Sequence, residues 1–401
     1  MQKLVINSVL RAAFLVAGTI LIGCSPPAMR PDRTLQDLVA ARQADDRARA
    51  DQSQQFMQGL LARVGTKIDA AAKSASARTQ PTIDILVISG GGDWGAFGAG
   101  VLKGWGRVTG EFARPHFDVV TGVSTGALIA PFAFLGDEAS IERIVQMYRN
   151  PQADWTERGF VFFWPSNPSF YALPGLEREV RKAMDRPMLE RIAAEDATGR
   201  GLIVNTTNVD FGNMHAWNII AEAKMALARN DPERVPRLLL ASAGIPGFFP
   251  ARDIDHYLYV DGAITGNILY GGGMGESATL PALWQAQHPG VPLPLMRYWV
   301  IFNNQFRFPP QVTQARWPEI MGRAMIMSTQ TSTVSAMRHL FAQAEIARLK
   351  YHADTQVRVI AVPDTWVPPS PGQFQKDVMN ALADMGEQMG ADPASWRTEA
   401  P

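Results

Sequence analysis

The run Val119-Val120-Thr121-Gly122-Val123-Ser124-Thr125-Gly126-Ala127-Leu128 decides how this chain is read. Its β-branched start reads as a strand, and its small, apolar continuation reads as the opening of a helix. Between them Ser124 has one glycine two residues before it and another two residues after it. This is the G-x-S-x-G pattern of a nucleophile elbow, a turn so tight that side chains at the flanking positions would clash. A serine held on such a turn exposes its hydroxyl and can attack an acyl carbonyl. Five positions with three fixed recur by chance, so the strand-then-helix context is what gives the match weight.

A second motif, Ser89-Gly90-Gly91-Gly92-Asp93-Trp94-Gly95, follows the apolar strand candidate Ile83–Ile88 and precedes a helix. Successive glycines let backbone N–H groups converge on one point, a cradle for negative charge reinforced by the helix N-terminus behind it. In acyl transfer that charge is the tetrahedral oxyanion. A nucleotide loop is the competing reading, but no Gly-Lys-Ser/Thr ends the run and the Rossmann glycine spacing is not kept. A third motif, Tyr257-Leu258-Tyr259-Val260-Asp261-Gly262-Ala263, ends a strand in an acid followed by two small residues. By itself Asp-Gly is a turn signal. At the carboxyl edge of a parallel sheet, where ligands bind, Asp261 would instead face Ser124 across a crevice.

Together, Gly90-Gly91-Gly92 with Gly95, Gly122-x-Ser124-x-Gly126 and Asp261-Gly262-Ala263 resemble the patatin-like phospholipase family in content and order. The similarity runs from about Ile83 to Ile268 and includes the stretch Ala241 to Pro250, which looks like the helix-end segment before that family's Asp strand. It implies lipid acyl-ester hydrolysis by a Ser-Asp dyad, with Ser124 as nucleophile, Asp261 as base and the Gly90, Gly91 and Gly92 amides as oxyanion hole. Asn267 resembles the family's asparagine after the Asp-Gly pair and reads as structural support, while Leu269 replaces a proline often found there. Trp94 stands where the family commonly has Arg or Lys. An indole brings no positive charge, so phospholipid and neutral acyl ester both stay open as substrates. A hidden triad would need His116, His215 or His256, the last lying on the approach to Asp261.

Short apolar runs alternating with helical periods from Pro81 onward predict an α/β fold, a three-layer α/β/α sandwich with a mostly parallel central sheet. Strands are expected at Phe117–Gly122, Gly201–Asn208, Tyr257–Asp261, Arg297–Asn303 and Gln356–Val362. Helices are expected at Ile141–Tyr148, Leu176–Met184, Glu233–Ala243, Pro318–Lys350 and Gln373–Met389. Residues 81–370 are read as the acyl hydrolase domain and 371–401 as a C-terminal helix and tail. Residues 24–80 are read as a tether plus a packing helix, because Phe56, Leu60, Val64 and Ile68 form one narrow apolar stripe. Two apolar regions are read conservatively: Arg158–Ser166 as a buried strand rather than an acyl lid, and Met321, Met325, Ile326 and Met327 as adaptable core rather than a lipid groove.

Residues 1–23 carry Lys3 and Arg11 ahead of an apolar run too short to span a bilayer comfortably, as in a secretory signal. The run ends in Leu21-Ile22-Gly23-Cys24-Ser25, which resembles a bacterial lipobox, so Cys24 is expected to be lipidated. As the chain's one cysteine, it excludes an internal disulfide. Ser25, rather than Asp, after the cysteine implies the outer membrane, with the protein facing the periplasm of a bacterial envelope. Hydrophobic residues make up 46% and charged residues 19% of the 401, a globular balance. With 38 Lys+Arg against 38 Asp+Glu there is no electrostatic pull toward a polyanion, so no nucleic-acid partner is expected. The six histidines lack H-x-x-x-H or HExxH spacing, and no metal or cofactor is expected. Oligomeric state is left open. The expected partners are a lipid or acyl-ester substrate and the membrane through Cys24, and the alternatives are a short-chain esterase or thioesterase with the same dyad, or a non-catalytic lipid-binding lipoprotein.

Overall fold

Strand residues alternate between two apolar clusters, and that alternation sets the layers. In the computed structural model, which describes residues 30, 32–73, 81–158, 169–271 and 279–401, β1 (Thr82–Ile88) sends Leu86 and Ile88 to one side and Ile83, Ile85 and Val87 to the other. A strand buried on both faces belongs in the middle of a sandwich. The order continues with α2 (Gly95–Trp105), β2 (Val119–Val123), α3 (Thr125–Leu135), α4 (Glu138–Arg149) and a small ribbon of β3 (Glu157–Arg158) and β4 (Tyr171–Ala172). Then come α5 (Pro174–Ala183), α6 (Arg186–Ala194), β5 (Gly201–Asn208), β6 (Asn213–Asn218), α7 (Ile219–Arg229) and α8 (Arg234–Ser242). The chain closes with β7 (Arg252–Ile254), β8 (Tyr257–Asp261), α9 (Leu280–Gln287), β9 (Leu295–Phe302), α10 (Trp317–Tyr351), β10 (Thr355–Ala361) and α11 (Lys376–Gly390). Ahead of them all lies α1 (Leu35–Lys73).

The main sheet runs β10-β9-β1-β2-β5-β8-β7, with β6 also on β5. From β10 to β5 every pairing is parallel, whereas β6, β8 and β7 pair antiparallel. The fold is therefore the expected mostly parallel three-layer sandwich, with one amendment at Asp261. Its strand reaches the carboxyl edge of the parallel strands from the opposite direction. β5 outruns β2, whose last partner is Asn205, and β8 pairs with the overhang Thr206–Asn208, so that Asp261 lies opposite Thr206.

One face of the sheet is covered by α1, α9 and α10, the other by most of the remaining helices. α1 buries Leu60, Leu61 and Val64, with Phe56 and Ile68 alongside, so the four-residue stripe is its docking face. Ion pairs fix its position: Arg63 and Lys67 reach the fully buried Asp118 at 2.5 and 2.6 Å. The C-terminal α11 packs against α2, and Trp396 beyond it packs in the core at an angle to Trp105 and edge-on to Trp299. Residues after 371 are thus part of the same sandwich. α10 departs from expectation, since it buries side chains only from Gln330 onward. Its first turns leave Met321, Ile326 and Met327 exposed rather than in a core, beside Trp317 at 66% exposure and Ile320. No helix among the described residues is long and apolar enough to cross a membrane. Cys24 and Gly159–Ser166 lie outside the described residues.

Candidate active site

The elbow forms as its glycines require. Ser124 has φ 54° and ψ −124°, a left-handed conformation for a residue with a Cβ, which costs of order 1–3 kcal/mol and is held by its surroundings. A Cβ on Gly126 would collide with the carbonyl of Ile88, and one on Gly122 with that of Gly126. Turn, strand and helix can therefore pack this closely only with glycine at both positions. The buried Ser124 N–H, which has no place in the β2 ladder, donates to Ser242 Oγ at 2.9 Å. Ser242 Oγ in turn donates to the carbonyl of Asn205 at 2.6 Å. The end of α8 thus supports the elbow from behind.

Ser124 Oγ donates to Asp261 Oδ2 at 2.7 Å, and both residues are buried. The other carboxylate oxygen accepts the Ala263 N–H at 2.8 Å, and the Asp261 N–H is bound to the Gly244 carbonyl at 2.9 Å. Thr207 Oγ donates to the Asp261 carbonyl at 2.9 Å, so backbone and side chain are both fixed. Burial pushes the carboxyl up to about 7, against the opposing pull of the Ala263 N–H and the Ser124 hydroxyl. A carboxylate of that basicity is matched to proton transfer near neutral pH.

The glycine loop lies beside this pair. Gly90 is so close to Ser124 Cβ and to Asn267 that a side chain there would displace one of them. Its N–H donates to Asn267 Oδ1 at 2.9 Å, while Asn267 Nδ2 donates to Thr333 Oγ on α10 at 3.0 Å. The expected trio of open amides is thereby corrected. Gly90 is already committed to a side-chain acceptor, and the N–H groups of Gly91 and Gly92 make no hydrogen bond among the described residues. Thr125, at the first position of α3, likewise has an N–H that its own helix cannot satisfy.

Two neighbours account for the rest of the loop. Asp93 is buried and accepts the Phe374 N–H at 2.8 Å; desolvation pushes it up to about 6. Trp94 packs edge-on against Trp366 with ring centroids 4.9 Å apart, so the side chain that replaces the family's common Arg or Lys is taken up in aromatic packing. None of the histidines considered for a triad touches the pair. His256 is exposed in the β7–β8 turn, at the opposite end of β8 from Asp261, and His116 is exposed before β2 begins. His215 stacks on Trp217 at 4.0 Å and faces Asp45 of α1 at 3.6 Å. Reading motifs along the chain missed Ser242, Asn205 and Thr207, whose partners are 118, 37 and 54 residues away. The one local signal was Ser242 inside the quoted Ala241–Pro250 stretch.

Residues 86–271 match the profile of the family described as "Patatin-like phospholipase", a span that holds the elbow, the glycine loop, Asp261 and Asn267. Among solved structures, VipD from Legionella pneumophila aligns at 12% identity over 82% of this chain and 74% of that one, with a TM-score of 0.34. No curated protein matches. Residues 86–271 of the chain are a patatin-like phospholipase domain, from a family of lipid acyl hydrolases.

Proposed function

We propose that this protein is a membrane-tethered serine acyl hydrolase that cleaves lipid acyl esters through Ser124 and Asp261. The observation that carries the reading is the 2.7 Å hydrogen bond from the Ser124 hydroxyl to a buried carboxylate whose affinity for a proton is raised. Ser124 Oγ attacks the ester carbonyl carbon while its proton passes to Asp261 Oδ2. The carbonyl oxygen becomes the oxyanion, received by the uncommitted amides of Gly91 and Gly92 and by that of Thr125. Collapse breaks the ester C–O bond, and the proton held by Asp261 goes to the departing alkoxide. Water then repeats the sequence on the acyl-enzyme, with Asp261 accepting its proton, and releases the fatty acid. Gly90 has a supporting role, since its N–H fixes the loop against Asn267.

Tethering rests on the lipobox-like Leu21-Ile22-Gly23-Cys24, which would place the domain at the periplasmic side of an outer membrane. The exposed Trp317, Ile320 and Met321, flanked by Arg316 and Arg323, fit contact with a lipid surface. The test is a fluorophosphonate probe. Wild type is labelled at Ser124 and hydrolyses long-chain esters, and Ser124→Ala does neither. A folded wild type that resists the probe, or turns over only short soluble esters, overturns the reading as stated.

A further inference from the structure

A hollow that plays no part in the proposed reaction lies against the central sheet. It has a volume of about 700 Å³ and sits between the sheet and the helices α1, α9 and α10 that cover that face. Its walls include Phe56 and Leu60 of α1, Ile85 and Val119 of the sheet, and Leu340 and Ala347 of α10. Ile203 records the hollow directly: it stands in the middle of a central strand and yet is only half-buried. Specific ligand cavities commonly measure roughly 300–1,000 Å³ and are mostly apolar with a few polar groups placed at the edge. That description fits here, with the exposed Gln52, Gln58 and Gln287 along the rim.

Charge and separation narrow the occupant. Arg49 is the one charged residue in the lining, and it is already bound to Asp45, Asp46 and the Met214 carbonyl. A buried anionic group would find no free partner, so the interior suits plain hydrocarbon, with any polar end among the neutral amides of the rim. Ser124, Asp261 and the glycine loop do not line the hollow. It stops at Thr121 and Leu269, joined by a 2.5 Å hydrogen bond. Beyond them the Gly90–Asn267–Thr333 bridge ties the loop to α10. Two walls, α1 and α10, come from outside residues 86–271, so the hollow is a construction of this chain around its domain.

We propose that this cavity binds the hydrocarbon chain of one long-chain lipid, separately from the acyl group attacked at Ser124. The binding does not depend on hydrolysis, and it can be tested with the serine blocked. Wild-type protein phosphonylated at Ser124 is titrated with cis-parinaric acid, a fluorescent polyene fatty acid, and saturates at one per chain. Ala347→Trp on α10 and Ser53→Phe on α1 narrow the space from two elements and each weaken binding about tenfold or more by filling it. Both keep the wild-type rate of Ser124 phosphonylation, which reports an intact fold and site. A diazirine fatty acid on the unmutated protein provides the independent measurement, with cross-links expected in residues 53–61 and 340–347. Cross-links confined to residues 90–98 or 242–263, no saturable binding once Ser124 is blocked, or unchanged affinity in both folded variants would overturn the proposal.

Discussion

Ser124 and Asp261 reach the same point from strands that run in opposite directions, and the two approaches are built differently. Ser124 leaves parallel β2 through a strained turn whose conformation depends on the nearby glycines and on a serine borrowed from α8. Asp261 ends antiparallel β8, which hangs on the part of β5 that extends beyond β2. One residue is placed by local backbone geometry, the other by strand length and register. Because register has a period of two, a one-residue slip of β8 would turn Asp261 away from Ser124 and into the opposite layer. The serine half tolerates little local change; the aspartate half tolerates little change in pairing.

In the proposed mechanism the two residues act as a unit. Ser124→Ala and Asp261→Asn should each lower kcat/KM for a long-chain ester by at least about 10³-fold, and the double variant should be no worse than the weaker single one. Steady-state kinetics on the three proteins checks this. Additive losses would mean that the carboxylate works on something other than the serine proton. Support for the elbow should cost less. Ser242→Ala leaves the buried Ser124 N–H without an acceptor, a penalty of about 1–3 kcal/mol in unfolding free energy by denaturant titration, with kcat falling about 10- to 100-fold as the turn relaxes. Thr207→Val, which removes a hydrogen bond to Asp261 through its carbonyl, should show the same pattern on the other half.

Motifs that are local in sequence were readable, and that is why the serine half was plain. β5 and β8 fall at the expected Gly201–Asn208 and Tyr257–Asp261, because each is a run of strand-forming residues bounded by turns. The direction of β8 was not readable, since a strand's own residues do not say which way its neighbour runs. β6 and β7 were missed for a related reason. Asn213–Asn218 is half polar and Arg252–Ile254 has three residues, so neither carries a period of its own. Ser242 and Asn205 look like ordinary polar positions until the fold sets them behind Ser124. Gly90 was grouped with its neighbours because three glycines are equivalent in sequence, and only Asn267, 177 residues on, separates it from them.

The raised proton affinity of Asp261 predicts two pH effects of opposite sense. In the proposed mechanism the base is the carboxylate form, so kcat/KM should rise about tenfold per unit below about pH 7 and level off above it. Stability moves the other way. An unfolded Asp releases its proton near 3.9, whereas the folded one holds it to about 7, so the native state binds the extra proton between those values and unfolding free energy falls as pH rises through them. Asp261→Asn removes this loss. It should match wild type near pH 4 and exceed it at pH 8 by roughly 2–4 kcal/mol, read from denaturant midpoints. Asp93, raised to about 6 by burial, acts in an overlapping window but is present in both proteins, so their difference isolates Asp261. A variant that is less stable at every pH would mean that the carboxylate is paired in a way the Ser124 and Ala263 contacts do not describe.

The smallest effect is expected at the histidine that sequence placed nearest the acid. His256 is only five residues from Asp261, but those residues are β8 itself, extended at about 3.3 Å each, so the imidazole sits a strand's length from the carboxylate. It is exposed in the β7–β8 turn with φ 68°, and its N–H is bound to Asp253 Oδ1 at 3.1 Å. His256→Asn keeps a residue tolerant of that backbone conformation while removing any acid–base capacity. kcat/KM should change by less than about twofold, and its pH dependence should keep its midpoint near 7. A loss approaching that of Asp261→Asn would mean that the turn folds inward during turnover and that a third residue relays the proton. The antiparallel strand would then deliver a base from each of its ends, and the contrast between the two halves of the site would have to be redrawn around the turn rather than the register.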